Sequence, residues 1–229
     1  MESLLEAYNK HKITFTIIIV NVLIFLLTAA LSGSIADMDM ETLVNLGAIY
    51  GPLTVVQGEW WRLFTAMFLH GGMTHLLMNM FSLYIIGRGA ESYFDTRSYL
   101  AIYLFSGLIG GLVSIYMYPA SVGVGASGAI FGVFGALAGF FIAHRERIGE
   151  HTKSFMKEFG IIIAINLVIG FSIEEVDVSA HIGGLIVGFI GGFIVSKDKK
   201  MVWFYSVAMV IAMVAMMNYL PGQYAQRLF

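Results

Sequence analysis

Two short stretches of this sequence, GASG at residues 125–128 and AHIGG at residues 180–184, each open an apolar segment that is long enough to enter a lipid bilayer. Ser127 lies in the first stretch and His181 in the second. Polar side chains are costly in the hydrocarbon core of a membrane, and those found there usually serve a function. A serine next to a histidine is also the minimum required for nucleophilic catalysis. The two stretches therefore indicate a bundle of membrane helices that carries a reactive pair.

The composition is typical of a membrane protein. Hydrophobic residues make up 58% of the 229 residues and charged residues only 12%, whereas a soluble domain carries about 25% charge. We therefore predict an all-α polytopic membrane protein whose residues 1–229 form a single membrane domain. The net charge of −2 and the lack of basic runs interleaved with aromatics argue against nucleic-acid binding. The absence of cysteine excludes disulfides, thiolate metal sites and a cysteine nucleophile.

Seven apolar stretches are predicted to be membrane helices, because each is about the ~17–25 residues that a bilayer requires, although those near 73–87 and 159–173 are short. They lie near residues 13–31, 73–87, 99–117, 127–143, 159–173, 179–196 and 202–220. Residues 1–12 are predicted to be a short cytoplasmic N-terminus, residues 13–196 a six-helix core, and residues 197–229 a linker and an extra C-terminal helix. The first stretch also fits a signal peptide, but its apolar run of about 19 residues exceeds the usual 7–15, which favours an uncleaved helix.

The distribution of basic residues favours seven crossings, with the N-terminus in the cytoplasm and the C-terminus outside. The cytoplasmic side of this topology holds Lys10, Lys12, Arg88, Arg97, Arg145, Arg147, Lys153, Lys157, Lys197, Lys199 and Lys200. The other side keeps only Arg62 and Arg227, which is the asymmetry that the positive-inside rule describes. We expect a multi-pass protein of the cell membrane whose site opens toward the outer side.

The depth of Ser127 follows from the length of its segment. About 17 residues of helix span roughly 25 Å, less than the roughly 30 Å of the hydrocarbon core. Ser127 is therefore predicted to lie below the outer surface, with the glycine-containing stretch 122–126 dipping into the membrane to reach it. Taken alone, Ser127 also fits a helix N-cap.

His181 enters the membrane from the same side, and glycines recur at helical spacing on its segment and on that of Ser127. These glycines are Gly184, Gly188 and Gly192 on one segment, and Gly128, Gly132 and Gly135 on the other. Small residues at this spacing let two membrane helices pack closely, and such packing would bring His181 beside Ser127. Taken alone, His181 also fits an interhelical hydrogen bond.

Further polar residues lie near the same predicted face of the membrane. His75 and Asn79 are four residues apart and share a helix face. Both can donate the hydrogen bonds that an acyl-transfer site directs at its oxyanion, and both also fit plain interhelical bonding. His70 is predicted to organise the preceding loop, residues 32–69, which we expect at the membrane interface. Arg62 is predicted to hold that loop through a carboxylate or a backbone carbonyl.

Other protease chemistries lack the residues that they need. The sequence contains no HExxH motif for a zinc site. Its aspartates all fall at or beyond the ends of the predicted helices, at positions 37, 39, 95, 177 and 198. No acid is placed to complete a triad with His181, so the residues favour a Ser127–His181 dyad that uses no metal and no cofactor.

In their order along the chain, these motifs resemble the rhomboid family of intramembrane serine proteases. The matching motifs are Trp61-Arg62, His70, His75-x-x-x-Asn79, Gly125-x-Ser127-Gly128 and Ala180-His181-x-x-Gly184. The resemblance implies a rhomboid-like bundle with a six-helix core and a seventh helix. It further implies that Ser127 is the nucleophile, His181 the general base, and His75 and Asn79 part of the oxyanion hole with backbone N–H groups near Ser127.

The resemblance also implies partners and structural positions. Transmembrane protein substrates and membrane lipids are the expected partners, with cleavage near the outer face. A substrate helix would approach beside the second and fifth helices, and the loop 172–178 would move aside as a lid. Gly125 is expected to shape the turn under the nucleophile, and Glu91 matches a family position with a structural role.

The sequence departs from the family pattern in two places. Phe131 stands where some bacterial relatives carry a tyrosine stacked on the histidine, so the aromatic face is kept and the hydroxyl is lost. The seventh stretch, 202–220, goes beyond the six-helix core of bacterial relatives. It contains no ionisable side chain other than tyrosine and is expected to pack or to bind a partner.

Two alternatives stay open on the sequence. One is a non-catalytic rhomboid-fold protein that binds membrane clients. The other is a transporter or channel, which would require buried charges along a path or an inverted repeat, and the sequence shows neither.

Overall fold

The computed structural model describes residues 4–172 and 177–228. The helices are α1 (Leu4–Lys10), α2 (Lys12–Ser32), α3 (Met40–Asn45), α4 (Arg62–Thr65), α5 (Met73–Tyr93), α6 (Thr96–Met117), α7 (Ser127–Ala143), α8 (Arg145–Ile148), α9 (Glu150–Ser172), α10 (Val178–Val195) and α11 (Met201–Leu228). Two short strands, β1 (Ile49–Tyr50) and β2 (Val122–Gly123), a π-helical turn (Pro52–Val56) and a 3₁₀ turn (Ala66–Phe68) complete the described elements. Within the described residues, a long helix overlaps each of the seven predicted apolar stretches.

Several of these helices have the properties of membrane spans. Within the described residues, α2, α6, α10 and the part of α11 from Met201 to Tyr224 are long and apolar enough to cross a bilayer, and α7 is apolar but shorter. The predicted all-α membrane bundle is confirmed. The number of crossings and their orientation stay predictions.

The helix ends differ from the apolar boundaries. Helix α5 continues beyond 87 to Tyr93, and α9 begins at Glu150 rather than near 159. Helix α1 was not predicted. Polar residues at the end of an apolar run form helical hydrogen bonds as well as apolar ones do, so hydropathy marks a membrane span better than it marks the end of a helix.

Helices α7 and α10 pack with their backbones in direct contact. A Cβ atom added to Gly184, Gly188 or Gly192 of α10 would overlap a carbonyl oxygen of α7. The facing pairs are Gly184 with Gly128, Gly188 with Gly132, and Gly192 with Ala136. The four-residue spacing of small residues is what allows this approach, and it sets the register between the helices that carry Ser127 and His181.

The start of α2 is capped by a side chain from the end of α5. The Glu91 carboxylate accepts the backbone N–H of Ile13 at 2.9 Å, the N–H of Thr14 at 3.0 Å and the Thr14 hydroxyl at 2.8 Å. The first N–H groups of a helix have no partner within the helix, so Glu91 satisfies two of them. Since Phe25 of α2 is also buried at 1% exposure, α2 is an integral part of the bundle.

The long connection between α2 and α5 is structured around Arg62. This side chain is 5% exposed. Its Nε donates to Glu59 Oε2 at 2.6 Å, and its Nη1 donates to the carbonyl oxygens of Val44 at 2.6 Å and Ala48 at 3.1 Å. One guanidinium therefore joins three points of the loop. The half-exposed Trp61 ring lies 4.7 Å from the guanidinium carbon.

Two further contacts order this connection. Asp39 caps α3 by accepting the Thr42 N–H at 2.8 Å, and this bond holds the pKa of Asp39 below its ordinary value. Strand β1 pairs antiparallel with β2, with Ile49 opposite Gly123 and Tyr50 opposite Val122. The pairing joins the loop to the segment that leads to Ser127.

Candidate active site

Ser127, the candidate nucleophile, lies at the start of α7, two residues after the closely packed Gly125. Gly125 has φ +123°, a conformation that residues with a side chain rarely adopt. Its N–H donates to the Ala66 carbonyl at 2.9 Å. Ser127 is the first residue of α7, but its side chain makes no capping bond and the N-cap position is Ala126. The hydroxyl is thus free for another partner.

That partner is His181 on α10. The Ser127 Oγ and His181 Nε2 atoms are 2.7 Å apart, a hydrogen bond between half-buried residues 54 positions apart in sequence. With the ring proton on Nδ1, Nε2 accepts the serine hydroxyl. This is the geometry that a general base requires.

An aromatic ring fixes the plane of the histidine. The rings of Phe131 and His181 are parallel to within 7°, with centroids 4.3 Å apart. Phe131 lies one helical turn after Ser127 on α7, so a single helix supplies both the hydroxyl and the surface on which the imidazole rests. The stack restricts rotation of the His181 ring.

The start of α10 is fixed by Asp177, its N-cap residue. Its Oδ1 accepts the Ala180 N–H at 3.0 Å and the Ser179 hydroxyl, so the carboxylate caps the helix one turn before His181. Among the described residues, no carboxylate hydrogen-bonds the His181 ring. The cap could have been recognised from an aspartate directly before an apolar helical run.

His75 and Asn79 lie against Gly125. A Cβ added to Gly125 would be 2.8 Å from the His75 ring and 3.8 Å from Asn79 Nδ2. Asn79 Nδ2 donates to the His75 carbonyl at 3.1 Å, which uses one of its two amide hydrogens. The fully buried ring of His70 packs edge-on against His75, with centroids 5.0 Å apart.

The structure therefore places some of the predicted site residues at one centre and the others around it. His181 contacts both Ser127 and Phe131, and His75 and Asn79 are placed beside them through Gly125. The others lie around this centre: Gly184 in the contact between α7 and α10, His70 behind His75, and Arg62 within the long loop. The predicted lid at 172–178 falls largely on residues 173–176, outside the described residues.

Other parts of the described structure show no competing centre. No group of three or more His, Asp or Glu side chains that could hold a metal occurs among the described residues. A cavity of about 520 Å³ lies between the start of α6 and the connection from α10 to α11, where Arg97, Lys200 and Trp203 contribute to its lining. None of its lining residues belongs to the Ser127–His181 centre.

Fold and site together define a class of polytopic helical membrane proteins with a hydrogen-bonded serine and histidine on two tightly packed helices. The family model of the Rhomboid domain matches residues 57–198. This chain belongs to the rhomboid family, which confirms the resemblance seen in the motifs.

Individual relatives agree with this assignment. Rhomboid protease GluP of Bacillus subtilis (strain 168) is 38% identical over 197 residues, which cover 83% of this chain and 36% of that protein. Putative rhomboid protease YdcA of the same organism is 35% identical over 164 residues, 71% of this chain and 77% of that protein. RHOMBOID-like protein 6, mitochondrial, of Arabidopsis thaliana is 41% identical over 163 residues, 71% of this chain and 52% of that protein. The matched region is thus about a third of GluP and about half of the plant relative.

Proposed function

We propose that this protein is an intramembrane serine endopeptidase that cleaves transmembrane segments of other membrane proteins near the outer face. The observation that carries the proposal is the 2.7 Å hydrogen bond between Ser127 Oγ and His181 Nε2. The similarity to two relatives that are named as rhomboid proteases supports it. The reaction needs no cofactor and no metal.

In the proposed mechanism, Ser127 Oγ attacks the scissile carbonyl carbon while His181 Nε2 takes the hydroxyl proton. The tetrahedral intermediate collapses when the carbon–nitrogen bond breaks and His181 returns the proton to the leaving amine. The acyl-enzyme that remains is attacked by water, with His181 again accepting and then donating the proton. Phe131 keeps the imidazole in one plane through these transfers.

The oxyanion of the intermediate needs hydrogen-bond donors that are in place before the reaction. We assign this role to His75 and Asn79, together with backbone N–H groups near Ser127. The support is their position against Gly125, two residues before the nucleophile. One Asn79 amide hydrogen is held by the His75 carbonyl, which orients the amide and leaves the other hydrogen for the oxyanion.

Depth in the membrane sets where a substrate is cut. Helix α7 has 17 residues and is shorter than the roughly 30 Å hydrocarbon core requires. With the N-terminus in the cytoplasm of a cell-membrane protein, Ser127 lies below the outer surface and water reaches it from that side. A substrate helix enters from lipid beside α5 and α9, and it must unwind locally because helical hydrogen bonds occupy its scissile carbonyl.

A fluorophosphonate probe, which reacts with activated serines, tests the proposal on the purified protein in detergent. Labelling is expected in the wild type and lost in Ser127→Ala and His181→Ala. Ser154→Ala, at an exposed position of α9, and His144→Ala, at the end of α7, are the matched controls and should label normally. Retained labelling and cleavage in Ser127→Ala would overturn the dyad. A wild type that neither labels nor cleaves any model transmembrane substrate would favour the non-catalytic client binder.

A further inference from the structure

The last turns of α11 pack against the long loop between α2 and α5. The same loop also contacts the segment that leads to Ser127, so the C-terminal helix lies close to the candidate active site. A second apolar cluster joins these elements. Its buried members are Ile49, Val55, Leu63, Ala66, Leu112, Ile115, Leu220 and Tyr224. Helix α11 elsewhere exposes large apolar side chains, among them Trp203, Val207 and Ile211, as a lipid-facing helix does. The C-terminal turns of α11 therefore bury side chains within the protein, whereas many side chains of the earlier turns are exposed.

Tyr224 makes the most specific contact of this cluster. Its hydroxyl donates to the Pro119 carbonyl at 2.9 Å across 105 positions of sequence, and the residue is only 4% exposed. Gly51, directly after β1, is packed against both partners. A Cβ at Gly51 would lie 2.6 Å from the Tyr224 ring and would overlap the Pro119 oxygen. Three separate parts of the chain thus meet at Gly51, where no side chain would fit.

From Pro119 the chain leads to Ser127 through two further fixed points. Residues 122 and 123 form β2, which pairs with β1. The Gly125 N–H then donates to the Ala66 carbonyl at 2.9 Å. The segment 119–125 is consequently held at its start by Tyr224, in its middle by a strand pair and at its end by the long loop.

We propose that the C-terminal turns of α11 brace the segment 119–125, and that Tyr224 is a positioning residue for Ser127. This inference rests on the proposed function and extends it by assigning a role to the seventh helix. Tyr224 acts through Pro119 and the strand pair, not through contact with the reacting atoms. Loss of its hydroxyl loosens the segment and lowers the fraction of molecules in which Ser127 meets His181 in reactive geometry.

The test compares Tyr224→Phe, which removes only the hydroxyl, with Tyr219→Phe, the same change at an exposed position of the same helix. The first readout is the second-order rate of fluorophosphonate labelling of the full-length protein, well below its melting temperature. Tyr224→Phe is expected to slow labelling about fivefold, the effect of one neutral hydrogen bond on an equilibrium. Tyr219→Phe should label at the wild-type rate.

Hydrogen–deuterium exchange provides a readout that does not depend on catalysis. Exchange of the amides of residues 120–125 should become faster in Tyr224→Phe and stay unchanged in Tyr219→Phe. Faster exchange with unchanged labelling would show a structural contact only and would overturn the positioning role. Unchanged exchange in this segment would overturn the brace itself. If the wild type does not label, the proposed function fails while the exchange result still decides on the brace.

Discussion

The rings of Phe131 and His181 lie parallel, 4.3 Å apart, with Ser127 Oγ hydrogen-bonded at the edge of the same imidazole. Phe131 and Ser127 are neighbours on one face of α7, so the orientation of the histidine is set by the helix that also carries the nucleophile. Here the ring alone performs the stacking.

Phe131→Ala is expected to lower the labelling rate of Ser127 by about threefold to tenfold, because a stacked aromatic contact contributes about 0.5–1.5 kcal/mol. Phe131→Tyr keeps the ring and should retain the wild-type rate. Labelling kinetics of the two variants check the prediction. An equal loss in both would show that the hydrophobic fit at position 131 matters and not the stack.

His75→Ala and Asn79→Ala are each expected to lower kcat by about 10²–10³, the cost of removing one oxyanion donor. The change should fall on kcat and leave KM nearly unchanged, because the oxyanion exists only beyond the ground state. Cleavage of a model transmembrane substrate at several concentrations provides both constants. Thr74→Ala, an exposed polar position in the same turn of α5, is the control. Losses below tenfold in both variants would show that the role was wrongly assigned.

Gly188→Ala should destabilise the protein by about 1–3 kcal/mol, the usual cost of inserting a methyl group into a packed interior. The added Cβ would overlap the Gly132 carbonyl oxygen, so α10 would have to move away from α7 and His181 with it. Gly160→Ala in α9 is the matched control, since a Cβ there meets nothing within 4 Å and alanine favours a helix by about 0.5–1 kcal/mol. Melting temperatures in one detergent compare the two, and equal stability would contradict the close approach of the helices.

Glu91→Gln is expected to lower the free energy of unfolding by about 1–3 kcal/mol, because the neutral amide replaces a carboxylate that accepts three hydrogen bonds. The effect should appear as a lower melting temperature and as faster hydrogen exchange of the Ile13 and Thr14 amides. Glu146→Gln, at an exposed position of α8, should change neither. Unaltered exchange at residues 13 and 14 would show that the start of α2 does not depend on Glu91.

Much of the fold was predictable because it depends on local properties of the chain. Apolar runs marked the seven long helices of the described residues, and small residues at four-residue spacing marked the contact face of α10. The position of Ser127 at the start of a short helix followed from the same count. These features depend on residues that are close together in sequence, and any helical chain that crosses a bilayer must contain apolar stretches of this kind.

The tertiary structure alone decided how distant parts of the chain meet. No local pattern shows that β1 pairs with β2 or that Tyr224 reaches Pro119. Such contacts join residues far apart in sequence, and they form only when the helices pack together in the correct register. The sequence by itself therefore determined a membrane bundle with a serine and a histidine, each near the start of its own helix. The 2.7 Å between their side chains arose from packing, because the glycines let the backbones of α7 and α10 come into contact in this register.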